Sequence, residues 1–125
     1  MARFPFLVFL LLVPSAQGDE KRLAELAKSR YETAAKTYQE LFRDGVYARD
    51  LIAHYTLSVH LLNAERDYKT DKHIDAYQSH YDRMKALEDS EKKRESIGSR
   101  RAIVESFRIE AEHWLERAKS RKNKE

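Results

Sequence analysis

The sequence predicts an all-α protein built from two antiparallel helical hairpins, closed into an up-down four-helix bundle or drawn out as an extended coiled coil. Three observations point there. After residue 18 the chain has no Pro, no Cys and only two glycines, Gly45 and Gly98, so little in it interrupts a helix. Ala, Glu, Lys, Leu and Arg supply 57 of those 107 residues, the composition of long helices. Leu, Ile, Val and Phe number only 19, enough for a narrow helical seam but not for a β-sandwich, a barrel or a multidomain enzyme with a thick core. The lack of Cys also excludes a disulfide-stapled miniprotein and a thiolate metal site.

Residues 1–18 read as a signal peptide. Arg3 is a short positive region, Phe4–Val13 is a ten-residue apolar run, and Pro14 breaks it before the small residues of Ala16-Gln17-Gly18. Ten residues are about half of a membrane span, so cleavage before Asp19 is expected rather than anchoring. The expected location is therefore outside the cell membrane: secreted, and periplasmic if the source is a two-membrane bacterium. Nothing later in the chain is apolar for long enough to form a transmembrane segment.

The first hairpin is expected over residues 19–68. Ala24, Ala27, Tyr31, Ala34, Tyr38 and Leu41 recur at steps of three and four, which draws one stripe down a helix. The register continues through Gly45, Ala48, Ile52, Tyr55, Val59 and Leu62. Two arrangements fit. Gly45 can end one helix in the left-handed cap conformation and turn the chain back. Alternatively it lies inside a single helix of about 50 residues and about 75 Å. The matched lengths of the flanking segments favour the hairpin.

Tyr68–Lys72 connects the halves, with Thr70 or Asp71 placed to cap the third helix. The second hairpin is expected over residues 69–121. Its stripe runs Ile74, Tyr77, Tyr81 and Met84, fades through the polar stretch Glu88–Ser96, and resumes as Val104, Phe107, Ala111, Trp114 and Ala118. Gly98 suits a C′ position and Ser99 an N-cap, so the turn is expected there. Residues 122–125 form a basic tail. The halves also repeat: an offset of 52 pairs Leu51 with Ile103, Ile52 with Val104, Tyr55 with Phe107 and Leu62 with Trp114, although the two glycines stand 53 apart.

The stretch Tyr38–Ala64 reads Y-x2-L-x3-G-x4-D-L-I-A-x3-L-x6-A, and the stretch from Ile97 reads I-G-S-x3-I-V-E-S-x5-E-H-W-L-E-R-A. Both resemble the coiled-coil hairpins of TolC-type outer-membrane efflux proteins, and those of their partner adaptors. The second is also similar to uncharacterised exported helical-repeat proteins whose repeat ends in Glu-x-x-Trp-Leu. The resemblance implies docking through hairpin tips, which marks Gly45, Asp50, Gly98 and Ser99 as docking or capping positions. Asp50 follows Gly45 by five residues where the family has six, and no strand segment is present to build the family's membrane barrel.

Catalytic and metal signatures are weak. Glu110-x-x-His113 places two ligand types on one helix face, but the second copy that a di-metal bundle needs is missing. His73 and His80 stand seven apart and hence on one face, whereas His54 and His60 do not converge. No Cys nucleophile, Gly-x-Ser-x-Gly, Gly-rich phosphate loop or His-Glu-x-x-His occurs. The expected function is thus non-enzymatic, with no catalytic residue, metal or cofactor. The chain is expected to act through a protein partner or self-association along the seam, without nucleic acid. A periplasmic holdase is the alternative, and a small metal-binding bundle a weaker one. Tyr31, Tyr38, Tyr55, Tyr77 and Tyr81 lie on the stripes and are expected between helices, while Tyr47 and Tyr68 fall near turns.

Overall fold

The computed structural model describes residues 16–43 and 49–123, and within them four helices and no strand. They are α1 (Ala16–Arg43), α2 (Leu51–Tyr68), α3 (His73–Lys93) and α4 (Gly98–Asn123). None of the described helices is long and apolar enough to cross a membrane. Helix α1 runs across the expected cleavage point before Asp19. Gly45 and Tyr47 lie outside the described residues, as do residues 1–15 of the expected signal peptide and residues 124–125 of the basic tail.

Cross-helix contacts settle the hairpin question. Arg30 Nη1 reaches Asp67 Oδ2 at 2.6 Å, Tyr31 stacks on Tyr68, and Tyr38 meets His54, so α2 folds back antiparallel along α1. Helix α3 returns along α2 through Ser58–His80 and Arg66–Tyr77. Helix α4 returns along α3 through Glu91–Arg100, Glu88–Arg108 and His80–Trp114. Packing follows chain order, with a lesser α2–α4 contact; α1 and α4 share no comparable packing.

Helix α2 therefore sits between neighbours and buries more than one stripe. On the α1 side, Leu61 and Ala64 close on Ala34, flanked by Tyr31, Ala35 and Tyr38. On the other, Leu51 joins Leu87 and Val104 against Phe107. The single stripe through Ile52 is corrected: Ile52 is 63% exposed and its neighbour Leu51 is buried, because the face toward α3 and α4 runs through Leu51, Ser58 and Leu62. The repeat shifts by the same one residue. Leu51, Ser58 and Leu62 correspond to Val104, Ala111 and Leu115 at the glycine spacing of 53, and all six are buried. The α1 stripe stands from Ala27 to Leu41, with Ala34 buried and Tyr31 and Tyr38 half-buried, whereas Ala24 is exposed.

Two helix ends differ from expectation. The N-cap of α3 is Lys72, which makes no side-chain capping bond, so neither Thr70 nor Asp71 caps it. The α3–α4 turn closes three residues before Gly98. Glu95 N donates to Lys92 O and Ser96 N to Glu91 O, which are the two bonds of a Schellman motif, and Glu95 takes the left-handed conformation at φ 53°. Gly98 is already helical, and Ser99 lies within α4 rather than capping it; Arg100 N and Arg101 N both donate to Ile97 O instead. Because Glu95 supplies the positive φ, the glycine is not needed for the turn.

Candidate functional site

Of the expected docking positions, the three that lie among the described residues, Asp50, Gly98 and Ser99, gather at one end of the molecule. Asp50 is the N-cap of α2, with φ −84° and ψ 96°, and its Oδ1 accepts from Ala53 N at 3.0 Å, which satisfies one of the helix's unbonded amides. Gly98 and Ser99 open α4 at the same end, because Arg100 Nη2 donates to Arg49 O at 2.8 Å and so ties the second tip to the first. The same Arg100 holds Glu91 through Nε, and Ser96 Oγ donates to Glu91 Oε1 at 3.1 Å. Glu91 is 1% exposed, and the Arg100 hydrogen bond keeps its carboxyl below the usual carboxylate range despite burial. This buried carboxylate fixes the shape of the second tip and, through Arg100, its distance from the first.

The outer surface of this end carries Ile52 and Ile97, 63% and 68% exposed. The helix ends and starts at this end also carry the exposed cations Arg43, Arg49, Arg94 and Arg101. Arg94 Nη1 lies 3.6 Å from Glu91 Oε2; the other three have no ion pair among the described residues. Ile52 is an apolar residue of the expected seam stripe, and Ile97 stands outside both stripes.

A second polar constellation lies inside the bundle. Ser58 and His80 are fully buried and joined Oγ to Nδ1 at 2.7 Å. Arg83 donates to Ser58 Oγ at 2.6 Å and to Ser58 O at 3.1 Å, and lies over the ring of Tyr38, so it clamps α3 to both α2 and α1. Trp114 of α4 stacks on the His80 ring at 5.6 Å. Burial, with the Arg83 charge beside it, pushes His80 down to about 4, so the ring is neutral at physiological pH. Its Nε2 has no hydrogen-bond partner. The pair has the contact distance of a nucleophile and its base, but the serine is sealed from solvent and no hydrogen bond from this histidine to a carboxylate is present among the described residues.

The remaining chemistry-bearing residues separate. His73 is exposed while His80 is buried, so the two do not share a face toward solvent. Glu110 Oε1 accepts from the Tyr55 hydroxyl at 2.5 Å, which helps push Tyr55 up to about 12 after burial, and His113 is exposed beside it. His54 stacks on Phe42 within the first hairpin, and His60 is exposed. Among the described residues no three His, Asp or Glu side chains gather as a metal set. The five stripe tyrosines are half-buried between helices, and Tyr68 is exposed.

Compared with protein-family models, curated proteins and solved structures, the chain matches none of them.

Proposed function

We propose that the chain is an exported, non-enzymatic coiled-coil protein that works by protein–protein contact, a TolC-like helical module of the efflux or envelope type that docks through its paired hairpin tips. The supporting observation is the joined end itself. Two segments distant in sequence are held together by Arg100, and Ile52 and Ile97 at the starts of α2 and α4 are exposed at the end that also carries exposed arginines. Exposed apolar side chains and arginines at one end of a helical protein suit a small docking surface. The fitting partner is a helical surface with an apolar recess edged by carboxylates. The Ser58–His80–Arg83 network acts as internal bracing that keeps the hairpins in register.

The test is a binding measurement with a stoichiometry. Envelope partners captured on the immobilised protein are purified and titrated against wild type, Ile52→Glu/Ile97→Glu and, as a control at the far end, Leu23→Glu. The docking reading expects one defined complex, lost in the tip variant and kept in the control, with unfolding midpoints unchanged in both. Equal binding by all three proteins overturns it. The holdase alternative is favoured by Leu23 and Leu26, 66% and 47% exposed on α1, and predicts suppression of client aggregation without fixed stoichiometry, lost in Leu23→Glu instead.

A further inference from the structure

We infer that the opposite end of the bundle holds a binding site for a phosphate-type anion, a phosphate monoester or diphosphate whose organic part lies against an aromatic wall. The α2–α3 connection, the start of α3 and the end of α4 enclose a groove of about 510 Å3, within the size range of small-molecule sites. Arg66, Lys72, Arg117, Arg121 and Lys122 line it against two carboxylates, Asp71 and Asp75. That leaves the groove with a local charge of +3 from five cations against two carboxylates.

These cations are not spent on the protein's own carboxylates. Glu88 and Glu91 each draw two or more cations to themselves, yet none of the five groove cations makes an ion pair among the described residues. Nor do Arg121 and Lys122 hydrogen-bond the last carbonyls of α4, so capping does not occupy them. Arg66 is the most constrained. Its guanidinium lies over the Tyr77 ring at 5.2 Å, and its buried Nε has no hydrogen-bond partner. Because Nε is sealed from solvent, the terminal nitrogens are the donors Arg66 can offer the groove, and an oxyanion accepts from such a pair in two parallel bonds.

The first turn of α3 adds to the field. Its N-cap Lys72 supplies no side-chain acceptor, so the positive end of the helix opens on the groove beside Arg66. Tyr77 and Trp114 form the apolar side of the same groove, and Trp114 is held by its stacking on His80. A small anion alone leaves this wall uncovered, whereas an ester with a ring or acyl group covers it.

Trp114 is the only tryptophan in the chain, so its fluorescence reports directly on the groove. The full-length protein is titrated in physiological salt with phenyl phosphate and with pyrophosphate, and by sedimentation with phosphatidylcholine vesicles carrying or lacking phosphatidic acid. Expected is a saturable response to at least one phosphate-bearing probe, weakened about tenfold or more in Arg117→Gln/Arg121→Gln and in Arg66→Gln, as loss of charge-assisted bonds requires. A response to the soluble esters assigns a free phosphate compound, and one confined to phosphatidic-acid vesicles assigns a lipid headgroup. No saturable response to any probe overturns the inference, as does a response that sodium chloride at equal ionic strength reproduces or that survives undiminished in the folded variants. Circular dichroism confirms folding of each variant. Because Ile52 and Ile97 stand at the other end, the tip variant keeps this response even if tip docking fails.

Discussion

His80 makes the stability of this protein depend on pH in a range where carboxylates contribute little. Its ring is fully buried against Ser58 and Trp114, with Arg83 adjacent, and its folded value lies near 4 against an unfolded value near 6.5. The unfolded chain therefore binds a proton that the folded chain refuses between those two values. Stability from this group is fully present above about pH 6.5 and is lost as pH falls toward about 4. Linkage puts the loss near 2 kcal/mol at about pH 5 and near 3 kcal/mol below the folded value. Glu88 and Glu91 are held below the usual carboxylate range by their arginines, so their contributions persist at about pH 5 and fall away only in more acid solution. The assay is urea unfolding followed by circular dichroism at about pH 8 and about pH 5, for wild type and His80→Gln. The glutamine keeps a bond to Ser58 but cannot titrate. The loss between the two pH values is expected to be about 2 kcal/mol smaller in the variant. Equal losses in the two proteins refute the reasoning, whatever their absolute stabilities.

Four further outcomes rest on the packing and the backbone. Met84 is fully buried, so Met84→Ala is expected to lower unfolding free energy by about 2–5 kcal/mol in chemical denaturation. Glu91→Gln keeps an acceptor for Ser96 but removes the charge facing Arg100 and Arg94; a loss of about 1–3 kcal/mol is expected, and an unchanged melting temperature contradicts the bracing role. Glu95→Gly relieves the left-handed strain at φ 53° and is expected to stabilise by about 1 kcal/mol, while Gly98→Ala, whose added Cβ meets nothing within 4 Å, gains a few tenths to about 1 kcal/mol, both read by thermal melts.

Helical content, the hairpin pairing and the Tyr68–Lys72 connection were legible because they rest on local periodicity and on residues that interrupt it. The first stripe, through Tyr31, Ala34 and Tyr38, needed only a single partner helix and so appeared directly in the pattern. What stayed hidden depends on partners far along the chain. Glu88 and Glu91 looked like a solvated polar stretch; each is 1% exposed because Arg108 or Arg100, on another helix, neutralises it. The burial of His80 is hidden for the same reason, its Ser58 partner lying 22 residues away. The second turn was misplaced because glycine preference competes with the backbone bonds of a Schellman closure, which here put Glu95 in the glycine-type conformation. Of the expected tip positions, Asp50, Gly98 and Ser99 do share one end, yet the residue joining the tips, Arg100, carried no local signal.

The unequal attachment of α1 has a kinetic meaning. Its interior contacts run almost wholly to α2, and α1 extends about 20 Å beyond the level at which Tyr31 meets Tyr68. Detaching it uncovers the Ala34–Leu61–Ala64 patch but leaves the Leu51–Leu87–Val104 cluster closed. The molecule thus has two cooperative units of unequal depth. Amides of α1 exchange with solvent through a partial opening, whereas those around Val104 and Met84 exchange only on global unfolding.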